Sequence, residues 1–245
     1  MDESRGYEPR NPTNPILTRH ASPEDRSSGH FVAPLGSVGS GRLRFTNGAH
    51  RVVIRGEPRL RELCRAHFGK RTPSVSARRG VVNIEYAGFP TGDWLYRRSE
   101  RPAEVTLNSS IPWDVEVRGG ASRLVADLRG LRLGSLKVGG GASRVEVILP
   151  APSGSVTVLV FGGASNVAIR RPEGVPARLR VEGGVTNLRF DDRHVGAAGG
   201  EYDLRSAGYG GTTERYDITF TGGANNLSVE RLRREERAKL DRQGE

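Results

Sequence analysis

The sequence predicts an all-β protein, a single-stacked β-solenoid in which short coils repeat along one axis. Three observations lead to this class: a Gly-Gly-small phrase recurs, strand-like segments flank every copy, and the copies are evenly spaced. The phrase begins at Gly119, Gly140, Gly162, Gly183 and Gly222, so the first four copies lie 21, 22 and 21 residues apart. A fixed period in this range is typical of repeat architectures.

The flanking segments have the alternation of β-strands. Val156, Val158 and Val160 precede one copy of the phrase, and Val145 and Val147 follow another. Alternation of this kind indicates a strand with one buried and one exposed face. Two short strands per period are too few for a propeller blade, which takes four strands in roughly 40 residues. We therefore expect one coil per period, stacked about 4.8 Å from the next.

The glycines are predicted to form the corner between the two strands of each coil, because glycine tolerates positive φ and close backbone contact. The predicted corners are Gly119, Gly120, Gly140, Gly141, Gly162, Gly163, Gly183, Gly184, Gly222 and Gly223. The last corner lies almost two periods after the fourth, so one coil without the phrase is expected between them.

Two columns of stacked side chains follow from the same repeat, because side-chain ladders form along stacked strands. The first is predicted as an internal polar ladder of Ser122, Ser143, Ser165, Thr186 and Asn225. The second, one residue later, contains Arg123, Arg144, Asn166, Asn187 and Asn226.

The chain is predicted to have four parts. Residues 1–41 are rich in proline and polar residues and predict a disordered or loosely attached tail. Residues 42–110 hold a degenerate first coil and a basic helical insertion, and residues 111–229 hold the repeats. Residues 230–245 predict a charged C-terminal helix that caps the open end of the stack or trails from it. The insertion is predicted as a short helix from Pro58 to Phe68, because Leu60, Cys64 and Phe68 follow i, i+4, i+8 spacing.

Composition limits the location and the chemistry. No stretch approaches the roughly 18 apolar residues of a membrane span, and residues 1–10 lack a signal-peptide core. We therefore expect a cytoplasmic protein. The single Cys64 excludes an internal disulfide and a thiolate zinc site, and the five histidines lack metal-ligand spacing. No catalytic, metal or cofactor residues are predicted. The best catalytic candidate, Asp191, Asp192 and His194, has the composition of an ordinary turn.

Positive charge is concentrated before the repeats. The net charge is +10, and residues 42–110 carry 14 basic and 6 acidic residues. A basic segment of this kind can neutralise phosphates of a nucleic acid or another polyanion, or it can be a solvated surface. The candidate polyanion-binding residues are Arg51, Arg55, Arg59, Arg61, Arg65, Lys70, Arg71, Arg78 and Arg79.

The repeated unit resembles the bacterial "putative adhesin" or "toastrack" group of β-solenoid domains. The resemblance covers roughly residues 103–229 and includes Gly199-Gly200-Glu201 and Arg215-Tyr216-Asp217-Ile218, with the first coil at 42–56 as an outlier. It implies a one-sheet or flattened solenoid, an interaction role, and attachment to envelope-stress membrane proteins. The group has no catalytic motif to carry over.

The sequence therefore predicts a non-enzymatic bacterial scaffold or protein-interaction module that is self-assembling or associated with a stress response. Its partner is expected to be another protein or a second copy, bound through a sheet face or a solenoid end. The alternative is an accessory protein that binds nucleic acid or another polyanion through residues 51–79.

Overall fold

The computed structural model describes residues 29–69, 72–87 and 101–233. These residues form strands and one 3₁₀ turn, Tyr209–Gly211. Among them, no helix is both long and apolar enough to cross a membrane. The strands are β1 (His30–Ala33), β2 (Gly41–Thr46), β3 (Ala49–Glu57), β4 (Cys64–His67), β5 (Ser74–Arg78), β6 (Val81–Glu85), β7 (Ala103–Asn108), β8 (Pro112–Val117), β9 (Ala121–Asp127), β10 (Arg132–Gly139), β11 (Ala142–Ile148), β12 (Ser155–Phe161), β13 (Ala164–Arg171), β14 (Ala177–Glu182), β15 (Val185–Phe190), β16 (Arg193–Ala198), β17 (Glu201–Arg205), β18 (Arg215–Thr221) and β19 (Ala224–Arg231).

The strands form two extended sheets, which confirms the all-β prediction and agrees with a β-solenoid. Sheet A has the order β1-β4-β7-β3-β9-β11-β13-β19-β15-β16. Sheet B has the order β17-β14-β18-β12-β10-β8-β2-β6-β5. Each of the five repeats contributes one strand to sheet B, turns at its glycine corner, and contributes the next strand to sheet A. Neighbouring coils pair in parallel, as β10 pairs with β12 and β11 with β13.

The order of the coils in space differs from their order in the sequence. The β18–β19 coil lies between the β12–β13 coil and the β14–β15 coil. One coil was expected to lack the Gly-Gly-small phrase. That coil is formed by β16 and β17, which are joined by a turn at Gly199-Gly200. Its strands pair antiparallel with β15 and β14 and close one end of the stack.

The other end is closed in a similar way. The first coil in the sequence is formed by β2 and β3. Strands β6 and β7 pair in parallel with β2 and β3 and lie outside this coil. Strand β5 then pairs antiparallel with β6, and β4 pairs antiparallel with β7. Antiparallel strands therefore terminate the described stack at both ends, where the sequence predicted a C-terminal helical cap.

The glycine phrase lies at the corners, where it has a steric function. Gly140 has φ +86°, and a Cβ built there would lie 2.6 Å from the backbone nitrogen of Gly120 in the neighbouring coil. The second corner glycine differs between coils: Gly141 has φ +84°, whereas Gly184 has no positive φ. In that coil the first corner glycine, Gly183, and Asn187 have positive φ values of 131° and 53°.

The core lies between the two sheets and is filled by the inward residues of each strand. Leu43, Phe45 and Trp113 are among its largest buried side chains. Gly41 packs against the Trp113 ring, so a Cβ at Gly41 would lie 2.6 Å from the indole. The buried indole nitrogen donates a hydrogen bond of 2.7 Å to the carbonyl of Asn108, which satisfies its polar group.

The predicted helix from Pro58 to Phe68 is wrong. Residues 64–67 form strand β4, which pairs antiparallel with β1 and β7. Leu60, Cys64 and Phe68 are four residues apart, which places them on one face of a helix. Because four is also a multiple of two, the same spacing places residues on one face of a strand. The loop before β4 is fixed by the Asn108 amide, which donates to the carbonyls of Leu60 and Glu62 at 2.6 and 2.9 Å.

The predictions for the two ends of the chain fall partly outside the described residues. His30–Ala33, within the predicted tail 1–41, forms strand β1 because its pairing with β4 places Phe31 and Ala33 in the core. Residues 1–28 lie outside the described residues. The predicted C-terminal helix 230–245 is not supported at its start, because residues 230 and 231 end strand β19. Its residues 234–245 lie outside the described part.

Candidate interaction site on the outer face of sheet A

A bulge in each repeat turns two successive side chains outward after the corner. Ala164 and Val167 are buried, whereas Ser165 and Asn166 between them are exposed. The pairing register passes from Ala142↔Ala164 directly to Arg144↔Asn166. Because the bulge breaks the alternation, the predicted internal polar ladder is wrong: Ser143, Ser165, Thr186 and Asn225 are exposed and Ser122 is half-buried.

The second predicted column contains an asparagine ladder on this outer face. The Asn187 amide donates to Asn226 Oδ1 at 2.7 Å, and the Asn226 amide donates to Asn166 Oδ1 at 3.1 Å. Asn166 donates to the Ser143 carbonyl at 3.2 Å, and His194 Nε2 lies 2.9 Å from Asn187 Oδ1. The three asparagines are neighbours only because the β18–β19 coil lies between the other two coils.

Arginines continue the column beyond the ladder. Arg51, Arg123 and Arg144 are in register on β3, β9 and β11. Arg123 lies 3.4 Å from Glu146 in a partly exposed ion pair. Strand spacing places successive members about 4.8 Å apart, so the column presents a row of hydrogen-bond donors across the strands.

A shallow groove of about 330 Å³ lies beside the asparagine ladder. Its floor contains the small side chains of Ala168 and Ser228, which are opposite each other in the register of β13 and β19. Larger polar side chains surround this floor. Those side chains are Arg144, Glu146, Asn166, Arg170, Asn187, Arg189, Asn226 and Glu230.

The groove has both donors and acceptors available to a ligand. Arg144, Arg170 and Arg189 make no ion pair with any carboxylate in the described part of the chain. The asparagine amides have further donor and acceptor capacity beyond the ladder. This lining suits a polar, extended partner.

The structure distributes the predicted basic residues over several surfaces. Arg51, Arg55 and Arg65 are exposed on sheet A strands, and Arg65 pairs with Glu62 at 3.1 Å. Arg59 and Arg61 are exposed in the loop before β4. Arg78 and Arg79 lie at the end of β5, on the edge of sheet B. Lys70 and Arg71 lie outside the described residues.

The carboxylates of the catalytic candidate bind arginines. Asp191 accepts hydrogen bonds of 2.8 and 2.6 Å from the buried Arg171. Asp192 accepts one from Arg231, and His194 contacts the asparagine ladder. No group of three or more His, Cys, Asp and Glu residues arranged to hold a metal ion occurs among residues 29–69, 72–87 and 101–233.

The outer face of sheet B is occupied by ion pairs. Arg178 hydrogen-bonds the Asp203 carboxylate and, with the weaker contact from Arg205, lowers the pKa of Asp203 to about 2. Burial opposes ionisation of Asp114, but hydrogen bonds from Ser135 and Arg42 hold the pKa of that carboxyl below its usual range. Ion pairs and hydrogen bonds therefore engage both of these carboxylates on sheet B.

Cys64 is fully buried on the inner face of β4. Burial raises the pKa of its thiol to about 12, so the reactive thiolate is not formed near neutral pH.

Comparison with known proteins places this architecture in a family. A crystal structure of a putative cell adhesion protein from Clostridium sporogenes has a TM-score of 0.70 to this chain at 18% identity and covers 82% of this chain and 97% of the other. At that identity the likeness shows the fold. No match is found among the curated proteins. The family described as the N-terminal domain of toast_rack, DUF2154, matches residues 37–170, from the loop before β2 through almost all of β13. The chain therefore belongs to the toast_rack N-terminal domain family.

Proposed function

We propose that this protein is a non-enzymatic interaction module that binds an extended polar segment of a partner protein in the sheet A groove. The observation that carries the proposal is the lining of the groove, where the asparagine ladder and arginines that make no ion pair with the described residues surround the small floor residues Ala168 and Ser228. A floor of small side chains lets a partner chain approach the sheet closely. The lining then supplies directional hydrogen bonds.

Two further observations support an interaction role. The carboxylates of Asp191 and Asp192, the best catalytic candidates in the sequence, serve as partners of Arg171 and Arg231. The Clostridium sporogenes protein with the same fold is described as a putative cell adhesion protein. A link to a stress response and a cytoplasmic location stay predictions.

Site-specific photocrosslinking tests this proposal. A photoreactive amino acid at Ser228 is expected to give a discrete covalent adduct in the native cells, which mass spectrometry identifies. Ala168→Arg, which fills the floor, is expected to abolish that adduct. Thr157→Arg, on the exposed outer face of sheet B, is the matched control and is expected to leave it unchanged. An adduct that persists in Ala168→Arg contradicts the proposal.

A second candidate function is polyanion binding, and the column of Arg51, Arg123 and Arg144 favours it. Three cations in register can follow a row of phosphates, and such binding weakens as salt increases. Binding to labelled DNA and RNA across a salt series tests it. The triple glutamine variant of this column is expected to weaken binding at least tenfold, whereas Arg59→Gln combined with Arg78→Gln has little effect. No binding of the unchanged protein at low salt removes this candidate.

A further inference from the structure

The end of the stack formed by β16 and β17 has an open edge in each sheet. Within the described residues, β16 pairs only with β15, and β17 pairs only with β14. Neither strand contains the proline or lysine residues that commonly protect exposed edges. Their outward backbone groups can therefore pair with another strand.

The apolar residues of this end coil are incompletely covered. Val195, Tyr202 and Leu204 pack against the core and remain partly exposed. One coil further in, Leu179 and Leu188 have no exposed surface. A further layer of structure on this end would bury the three side chains in the same way.

The end coil has the geometry to pair with a second copy of itself, because its two strands are symmetric about the turn that joins them. Val195 lies four residues before Gly199, and Leu204 lies four residues after Gly200. They pair with Leu188 and Leu179, which are equally far from their own corner. Val195 and Leu204 therefore lie at matching positions along β16 and β17. One two-fold axis perpendicular to the sheets can pass between Val195 and its copy and between Leu204 and its copy.

We propose that two copies of this chain associate through this end, with β16 antiparallel to β16 and β17 antiparallel to β17 about that axis. Leu204 then faces Leu204 of the second copy, and Val195 faces Val195. Both sheets continue across the interface, and this association is distinct from partner binding in the sheet A groove.

The charges agree with this register. Asp203 faces Arg205 of the second copy, and Arg205 faces Asp203, which gives two opposite-charge cross-strand pairs. Within one chain Arg205 lies 3.4 Å from Asp203, whose main partner is Arg178, and 5.7 Å from the centre of the Tyr209 ring. Its guanidinium has further donors for the carboxylate of a second copy. His194 faces Gly196, so no like charges oppose each other in β16.

Disulfide formation at a single introduced cysteine tests the register. Directly opposite residues on antiparallel strands have Cα atoms about 4.5–5.5 Å apart, within the range that a disulfide spans. Leu204→Cys is therefore expected to form a disulfide-linked dimer under mild oxidation. Tyr202→Cys is the control on the same strand, because the two introduced thiols lie on residues about 13 Å apart in this register. Cys64 is buried and gives no background.

Sedimentation equilibrium tests the association itself. The full chain is expected to dimerise, Leu204→Lys to weaken the dimer at least tenfold, and Ala168→Arg in the groove to leave it unchanged. A monomer at all concentrations, or a Tyr202→Cys dimer in place of the Leu204→Cys dimer, overturns the proposal. Dimerisation only in a chain that ends at residue 233 also overturns it, because residues 234–245 would then cover the edge.

Discussion

Arg171 and Asp191 form a bidentate ion pair that joins the end of β13 to the residue after β15. The Arg171 side chain is 1% exposed, and its two hydrogen bonds to Asp191 are 2.8 and 2.6 Å long. Strand β19 lies between β13 and β15, so the pair reaches across the coil that is out of sequence order. The Arg171 carbonyl also accepts a bond of 2.7 Å from the Leu232 amide. The pair therefore connects the two coils that flank the inserted β18–β19 coil.

Removal of this carboxylate is expected to destabilise the fold strongly. Asp191→Ala leaves the buried Arg171 charge without its bidentate partner and also places alanine at φ 51°, so a loss of about 3–5 kcal/mol is expected. Urea unfolding followed by circular dichroism measures the loss. Asp192→Ala is the matched control: its side chain is 87% exposed, and loss of its pair with Arg231 is expected to cost less than about 1 kcal/mol. Equal losses in the two variants would contradict the role given to Asp191.

The corner glycines differ in what they tolerate, which gives a second prediction. Gly140→Ala forces an alanine to positive φ and places its Cβ 2.6 Å from backbone of the next coil, so a loss of about 2–4 kcal/mol is expected. Gly184→Ala has neither restriction and is expected to change stability by less than about 0.5 kcal/mol. Thermal unfolding of the two variants compares them. If both unfold at the temperature of the unchanged protein, the steric account of the corner is wrong.

The local repeat could be predicted from the sequence because every coil carries the same signals. Alternation, the glycine phrase and the period identify the strands, the corners and the asparagine column. The insertion of the β18–β19 coil could not be predicted, because it depends on long-range pairs such as Arg171 with Asp191. Successive coils of near-identical sequence offer almost equivalent pairing surfaces, so local patterns do not distinguish their order.

The groove was only partly predictable for a related reason. The stacking of Asn166, Asn187 and Asn226 followed from the period, but the exposure of the preceding column, which contains Ser165, did not, because the bulge after the corner breaks the alternation. Gly-Gly spacing identified the corner without indicating that Ala168 and Ser228 would lie opposite each other. The basic segment was visible as composition, yet the path of the chain places Arg51 on β3 in sheet A and Arg78 on β5 in sheet B.

The asparagine ladder is expected to contribute stability as well as binding chemistry. Asn226→Ala removes both hydrogen bonds at the centre of the ladder and places alanine at φ 53°, so we expect a loss of about 2–3 kcal/mol in urea unfolding. Asn226→Gly removes the same hydrogen bonds without the backbone strain, and a smaller loss of about 1 kcal/mol is expected. Ser165→Ala, an exposed neighbour on β13, is the control and should be nearly neutral. A glycine variant as unstable as the alanine variant would show that strain at Asn226 is unimportant.

The acid stability of the end coil is expected to depend on Arg178 and Asp203. Hydrogen bonding to Arg178 lowers the pKa of Asp203 in the folded protein to about 2, whereas an unfolded aspartate titrates near 3.9. A depressed folded-state pKa stabilises the fold at pH values above the unfolded pKa, and this contribution is lost as the pH falls from about 4 to about 2. Carboxyl titration by NMR is expected to find the low pKa, and Arg178→Gln to raise it toward the ordinary value. Arg215→Gln, which removes a cation near Asp217 on the same face, is the control and should leave the pKa of Asp203 low. An Asp203 pKa near 4 in the unchanged protein would contradict the ion pair.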